Sequence, residues 1–232
     1  MTDSSDPDRS MLDRAKFFLK ATAAFIMFTL IGLILGFTDL ALQPVSLVNQ
    51  IATDKQKENT VYLIRGQKTN TSNYRSVESQ LLQGASSLYR LTEGDLNKWS
   101  SDRFGSTQSD KEGFIIINKT SPDFRISDDE LQISSRISVV YPDIPLINKL
   151  KPLEFFFHCK GQFVKGDKKW EFVPGYAYIG SAPLPKYFFT PFATSRFIKS
   201  FDKDNDFATY DEMWSGLDSV RIKGSELILQ IN

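Results

Sequence analysis

An uninterrupted apolar stretch near the amino terminus constrains the fold of this chain more than any other feature. Residues 21–38 (ATAAFIMFTLIGLILGFT) are eighteen positions without a charged side chain, between Lys20 and Asp39. A helix of this length is about 27 Å long, close to the thickness of the hydrocarbon core of a bilayer. Backbone groups in lipid must bond within their own segment, which favours a continuous helix. The sequence therefore predicts one transmembrane helix over residues 17–41, after a short cytoplasmic tail at 1–16.

Two other interpretations of this stretch stay open. A cleaved signal peptide has an apolar core of about 7 to 15 residues and small residues before the cut. Here the core is longer, and Asp39 lies two positions before the first candidate cut, after Ala41. A buried helix of a soluble domain usually keeps a polar stripe, whereas this stretch offers only threonines and glycines. An uncleaved signal anchor is therefore the favoured interpretation.

The charges on either side of the stretch predict its orientation. The segment before it contains four basic residues, Arg9, Arg14, Lys16 and Lys20. The segment after it, residues 39–54, contains no lysine or arginine. Lysine and arginine accumulate on the cytoplasmic side of a span, while acidic residues have little influence. We therefore expect a single-pass protein of the cell membrane with a cytoplasmic amino terminus and an extracytoplasmic main domain.

The composition of the remaining chain indicates one neutral globular domain. The 232 residues hold 28 basic and 28 acidic side chains, and the lack of a basic excess argues against a nucleic acid as partner. About 190 residues follow the helix, which is enough for one domain with its own core. Because Cys159 is the single cysteine of the chain, an internal disulfide is excluded.

Residues 42–73 are expected to form a stalk or linker that contains one short strand. Val45, Val48 and Ile51 have the i, i+3, i+6 spacing of a helix, which predicts a helical stalk. The apolar run at 61–64 predicts the short strand.

Residues 74–232 are expected to form an extracytoplasmic α+β domain, in which helices pack on a curved antiparallel sheet. The two longest strands, at 153–163 and 170–179, are joined by a turn at Gly166-Asp167. Thr92 and Asp95 have the spacing of a capping box at a helix start. Helices are expected at 75–83, 92–103, 186–201 and 207–214, and further strands at 87–91, 114–118, 124–126, 131–139, 219–222 and 226–231.

Two passages resemble the YpmS-like membrane-anchored proteins of unknown function. They are LTEGDLNKW at residues 91–99 and GSAPLP at residues 180–185. Those proteins similarly have an amino-terminal span, an "LT…LN" helix start and a glycine-to-proline passage before a helix. The resemblance covers residues 91–201, with a longer polar insertion at 105–113 in this chain. It implies an extracytoplasmic domain that could handle lipid, and it implies no established activity or catalytic residues.

The sequence shows no catalytic, cofactor-binding or metal-binding constellation. His158 and Cys159 are neighbours on an expected strand, so their side chains point to opposite faces and cannot share a proton. The acidic run 202–206 resembles the start of a calcium loop, but Phe207 and Met213 occupy the positions that need glycine and a final glutamate. We therefore expect a protein that is not an enzyme and needs no cofactor or metal.

Aromatic side chains are concentrated on the two longest expected strands. We select Phe155, Phe157, Trp170 and Phe172 as a candidate apolar groove for a lipid or another apolar ligand. Two alternatives stay open. Helices could cover this face, so that the aromatic residues form part of the core. The face could also dock a membrane-protein partner, in which case the protein is a non-catalytic scaffold or assembly factor.

Overall fold

The apolar stretch lies in the first helix, α1 (Pro7–Ala41), of a computed structural model. Its segment Thr22–Ala41 has 20 residues and a mean hydropathy of 2.0. In the apolar 18-residue part of this segment no residue is buried. The side chains of Phe25 and Leu33, for example, are 73% and 65% exposed. The helix is therefore long and apolar enough to cross a membrane, as the sequence predicts. This exposure argues against the core helix of a soluble domain.

The chain divides into two compact units, Met1–Leu40 and Ala41–Asn232. The first unit holds α1, and every other element described below belongs to the second. The structure describes residues 7–51, 56–71, 73–105, 107–112, 115–140, 152–167, 169–185 and 212–231.

Two helices of the second unit agree closely with the sequence patterns. Helix α2 (Asn73–Leu82) turns Val77 and Leu81 into the core, and it ends before Gly84, whose φ of 65° suits glycine. Helix α3 (Glu93–Phe104) begins at the predicted capping box, in which the Thr92 hydroxyl accepts a hydrogen bond from the backbone N–H of Asp95.

The strands of the second unit form three sheets. The strands are β1 (Val45–Val48), β2 (Val61–Ile64), β3 (Ser87–Thr92), β4 (Thr107–Glu112), β5 (Ile115–Thr120), β6 (Asp123–Ser127), β7 (Glu130–Val140), β8 (Leu153–Lys165), β9 (Trp170–Ile179), β10 (Ala182–Pro183), β11 (Ser219–Lys223) and β12 (Glu226–Ile231). A two-stranded sheet pairs β1 with β2 in parallel. The largest sheet has the order β10-β9-β8-β7-β5-β4, with β6 also paired to β7, and a third sheet has the order β11-β12-β3.

The antiparallel pairing of the long strands is confirmed. Ile133 of β7 pairs with Cys159 of β8, and Cys159 pairs with Ala177 of β9. These three side chains are almost fully buried in the same apolar cluster. The cluster also takes residues from α2, α3 and the third sheet, such as Leu96 and Leu229. The described residues therefore form an α+β domain with mostly antiparallel sheets.

The predicted helical stalk is wrong. Residues 45–48 form strand β1, which pairs in parallel with β2, and the backbone N–H of Arg65 extends this pairing by donating to the carbonyl oxygen of Val48 at 2.8 Å. The sequence VSLV is rich in β-branched and apolar residues, which pack well on a neighbouring strand. Tertiary pairing therefore outweighs the i, i+3, i+6 spacing at this position.

Some predictions fall on residues that the structure does not describe. The helix expected at 186–201 and the acidic run 202–206 lie outside the described residues. Of the helix expected at 207–214, the structure describes residues 212–214. These residues are helical, and the helix ends at residue 215.

Candidate functional site

The four aromatic residues selected from the sequence lie in two different surroundings. Phe172 is buried in the core, and Phe157 and Trp170 are half-buried side chains that pack against the core. The indole Nε1 of Trp170 donates a hydrogen bond to the carbonyl oxygen of Leu217 at 3.0 Å. Phe155 is half-buried and lines a cavity. A groove built from all four stays a prediction, and Phe155 is the member that the structure brings to a cavity.

A bulge in β9 explains why its aromatic side chains divide between two faces. The pairing of β8 with β9 shifts between Pro174 and Tyr176, so Gly175 is an extra residue in β9. A bulge of this kind interrupts the alternation of side chains. Phe172 before the bulge and Ala177 after it are therefore both buried in the core, although five positions separate them.

The opposite face of β8 is also largely covered. Phe156 and His158 alternate with the core residue Cys159, yet they are 5% and 8% exposed. The His158 ring stacks on the Tyr178 ring, with 5.0 Å between centroids. Leu47 of β1 and Phe156 line the same cavity. The first strand therefore lies beside this second face of the large sheet.

A cavity of about 470 Å³ lies between the start of β8 and the segment that follows α1. We call it the proximal cavity, and it is lined by residues 42–45, residues 152–156 and Arg136. Its polar members include Arg136 and Glu154, whose side chains form an exposed ion pair at 3.6 Å. Its other walls are largely apolar, with Leu42, Pro44, Val45, Pro152, Leu153, Phe155 and Phe156.

Two hydrogen bonds hold the segment that forms one wall of the proximal cavity. The Ser181 hydroxyl donates to Gln43 Oε1 at 2.6 Å. The backbone N–H of Val61 donates to the carbonyl oxygen of Pro44 at 2.9 Å. These bonds connect residues 43 and 44 to the β9–β10 turn and to the start of β2. The cavity wall is therefore positioned by tertiary contacts that lie far apart in the sequence.

A second cavity, of about 450 Å³, adjoins the proximal cavity, because Arg136 and Phe156 line both. We call it the basic cleft, after the side chains of Arg65, Lys68 and Arg136 in its lining. Within the described part of the chain, Arg65 and Lys68 are exposed and form no ion pair. Five hydroxyl groups also line the cleft, those of Ser101, Thr120, Ser121, Ser134 and Ser135.

Asp123 is the acidic residue in the lining of the basic cleft. Its Oδ2 accepts a long hydrogen bond of 3.4 Å from the backbone N–H of Gly66, while its buried Oδ1 has no hydrogen-bond partner among the described residues. Burial raises the pKa of Asp123 above its usual value, and the N–H of Gly66 and the charges of Arg65 and Lys68 oppose this shift. The lining of the cleft therefore includes a buried carboxyl oxygen whose hydrogen-bonding capacity is not used by the described residues.

Polar side chains of α3 form hydrogen bonds with backbone groups of β6 that do not pair with β7. One of these side chains, Asn97, also lines the basic cleft. Asn97 donates from Nδ2 to the carbonyl oxygen of Phe124 at 2.7 Å and accepts at Oδ1 from the N–H of Phe124, also at 2.7 Å. The same Nδ2 donates to the carbonyl oxygen of Gln67 at 2.8 Å. One amide side chain thus satisfies three buried or half-buried backbone groups, as a paired strand would.

Glu93 and Ser100 continue this arrangement along α3. Glu93 Oε2 accepts from the N–H of Ile126 at 2.7 Å, and its Oε1 accepts from the N–H of Gln67. The Ser100 hydroxyl donates to the carbonyl oxygen of Pro122 at 2.6 Å. Both side chains are buried. Sequence reasoning missed these residues, although their spacing is a signal. Glu93, Asn97 and Ser100 lie at positions i, i+4 and i+7, which places them on one face of the helix.

His158 and Cys159 do not form a reactive pair. Cys159 is buried in the core, and burial raises the pKa of its thiol to about 12. His158 lies in the opposite face, and burial lowers the pKa of its imidazole to about 4. Its Nδ1 has no hydrogen-bond partner in the described part of the chain. At neutral pH both groups are uncharged, and neither activates the other.

The described residues contain no group of three or more histidine, cysteine, aspartate or glutamate side chains that could hold a metal ion. The described residues form two adjoining cavities, the proximal cavity and the basic cleft, which share the side chains of Arg136 and Phe156.

Comparisons of the chain with protein-family models, with curated proteins and with solved structures find no match. The resemblance to the YpmS-like proteins therefore stays a prediction.

Proposed function

We propose that this chain is a single-pass membrane protein whose extracytoplasmic domain binds a lipid by its acyl chain in the proximal cavity. The observation that carries this proposal is the position of the cavity in the chain. Its lining begins at Leu42, one peptide bond after the end of α1 at Ala41. If α1 spans the membrane, this wall of the cavity lies within a few residues of the lipid surface.

The size and lining of the proximal cavity support an apolar ligand. Ligand sites have volumes of about 300 to 1,000 Å³ and are lined mostly by apolar side chains with a few polar groups. The proximal cavity, at about 470 Å³, falls within this range. Leu153 is 38% exposed, and Phe155 beside it is half-buried. An acyl chain that covers these side chains gains the free energy of removing apolar surface from water.

The orientation rests on the basic residues that precede the apolar stretch 21–38 and on the absence of lysine and arginine immediately after it. An alkaline phosphatase fused after Asn232 is expected to be active in a bacterial host, since this enzyme requires export. An inactive phosphatase fusion together with an active cytoplasmic reporter would contradict the orientation. Comparing the mass of the mature protein with that of the full chain separates a retained anchor from a cleaved signal peptide.

The test of lipid binding uses the full chain, purified from membranes in a mild detergent and analysed by native mass spectrometry. We expect a discrete lipid mass on the wild-type protein, identified after solvent extraction. The double variant Leu153→Gln/Phe155→Gln should lose most of this lipid. The matched control is Val164→Gln/Val173→Gln, which changes two exposed apolar residues, one on β8 and one on β9, and should retain it.

A protein that carries no lipid at any detergent concentration would overturn the proposal. So would equal lipid occupancy in the cavity variant and the control. If a membrane protein then co-purifies with the lipid-free chain, and is lost in the cavity variant, the scaffold alternative takes its place.

A further inference from the structure

The basic cleft adjoins the proximal cavity, with which it shares two lining residues. Arg136 and Phe156 face each other as a pair on β7 and β8, and both line both cavities. Val45 of β1 lines the proximal cavity and Leu47, two residues on, lines the basic cleft. The two cavities are therefore neighbours, one with mostly apolar lining residues and the other basic, and Arg136 and Phe156 lie between them.

We infer that the basic cleft binds a phosphate ester, the headgroup of an anionic phospholipid whose acyl chain occupies the proximal cavity. This inference rests on the proposed function and names its ligand class. Phosphate oxygens accept hydrogen bonds most strongly from cationic donors, arginine above all. Arg65, Lys68 and Arg136 supply such donors from three positions in the lining.

The charges of the cleft favour an anion. Arg65 and Lys68 form no ion pair among the described residues, and Arg136 is paired with Glu154 at 3.6 Å with both side chains well exposed. An exposed pair of this kind contributes about 0 to 1 kcal/mol, so Arg136 can exchange its partner for a phosphate at little cost. With Asp123 ionised, the lining still carries an excess of positive charge.

The hydroxyl-rich wall and Asp123 suit the groups that neighbour a phosphate in a lipid headgroup. Hydroxyls of serine and threonine both donate and accept hydrogen bonds, and five of them line the cleft. Asp123 adds a carboxyl group to the same lining, and a headgroup hydroxyl, such as one of a glycerol group, can donate a hydrogen bond to a carboxylate. A headgroup with glycerol and phosphate satisfies both kinds of partner.

The experiment incorporates the full chain into nanodiscs that contain equal amounts of phosphatidylglycerol and phosphatidylcholine with identical acyl chains. Lipid that remains bound after transfer to detergent is quantified by mass spectrometry. We expect phosphatidylglycerol to be retained preferentially. Each basic residue near an anionic lipid contributes roughly a fivefold change in binding, so Arg65→Gln/Lys68→Gln should reduce the preference about twenty-five-fold.

The matched control is Arg221→Gln/Lys223→Gln, which removes one arginine and one lysine from exposed positions of β11. This control should keep the wild-type preference. A preference lost equally in both double variants would overturn the inference, because the effect would then follow from net charge alone.

The remaining outcomes separate the inference from the proposed function. Equal retention of the two lipids by wild type and variant overturns the headgroup inference and leaves acyl-chain binding in place. Retention of neither lipid overturns both. If glycerol phosphate binds the full chain in a manner that depends on Arg65 and Lys68 while neither lipid is retained, the ligand is a soluble phosphate ester, and the lipid assignment is overturned.

Discussion

His158 makes the stability of the domain depend on pH in a predictable way. Its imidazole is 8% exposed, and burial lowers its pKa from 6.5 to about 4 in the folded protein. Between these two pH values the unfolded chain binds more protons than the folded chain, so acidification favours unfolding. Linkage gives a loss of about 2 kcal/mol in unfolding free energy between pH 7 and pH 5, and about 3 kcal/mol by pH 4.

The assay is urea unfolding of the full chain in detergent, followed by tryptophan fluorescence. The three tryptophans, Trp99, Trp170 and Trp214, all lie outside α1, so the signal reports on the second unit alone. The variant His158→Phe keeps an aromatic ring to stack on Tyr178 but cannot titrate. Because His158 is the single histidine of the chain, the variant removes imidazole titration completely.

We expect His158→Phe to lose about 2 kcal/mol less than wild type between pH 7 and pH 5. The raised pKa of Asp123 acts in the opposite direction, because the folded state then binds more protons, and it affects both proteins alike. If His158→Phe is poorly folded at pH 7, His158→Gln provides the same comparison. Parallel losses of stability in wild type and variant would refute the reasoning.

Three further predictions concern packing and hydrogen bonding. Asn97→Ala removes three hydrogen bonds and should lower the free energy of unfolding, measured in urea, by about 3 kcal/mol. The control Gln80→Ala, on an exposed part of α2, should change this free energy by less than about 0.5 kcal/mol. Equal effects of the two variants would contradict the role of Asn97. Gly161→Ala places a Cβ 2.3 Å from the carbonyl oxygen of Val173 and should lower the melting temperature. Gly175→Ala, whose nearest atom is 3.7 Å away, should not, and the reverse order would contradict the strand pairing. The Cys159 thiol, with its pKa raised to about 12, should react with a maleimide only after denaturation, so rapid labelling of the folded chain would place it outside the core.

The sequence was sufficient for elements that are specified by local pattern. The apolar pattern of β8 and β9 and the turn between them predicted their antiparallel pairing, which the structure has. The spacing of Thr92 and Asp95 predicted the capping box of α3. In each case the residues that determine the structure lie within one or two turns of chain.

The sequence patterns do not predict features that depend on contacts between residues far apart in the chain. Strand β1 forms because β2, which begins 13 positions after β1 ends, offers a partner, and its spacing alone favoured a helix. The bulge at Gly175 has a signal in the adjacent proline and glycine within a strand, but the sequence analysis predicts no bulge there. The burial of Glu93 and Asn97 against β6 also depends on a distant partner, and the helical pattern of α3 does not indicate it.

The candidate site illustrates the same limit. The density of aromatic residues selected Phe155, which lines a cavity, together with Phe157, Trp170 and Phe172, which contribute to the core. The proximal cavity brings Leu42 together with Leu153, and no local pattern indicates a contact across more than one hundred positions. Charge pattern likewise gave no reason to group Arg65 and Lys68 with Arg136.

The most direct test of lipid binding is site-specific photocrosslinking in intact membranes. Leu153→p-benzoylphenylalanine places the reactive group in the lining of the proximal cavity, and Val173→p-benzoylphenylalanine places it on an exposed position of β9 as a control. The account predicts a lipid adduct on the full chain at position 153 and little or none at position 173. Equal adducts at both positions, or none at position 153, would contradict binding of a lipid in the proximal cavity.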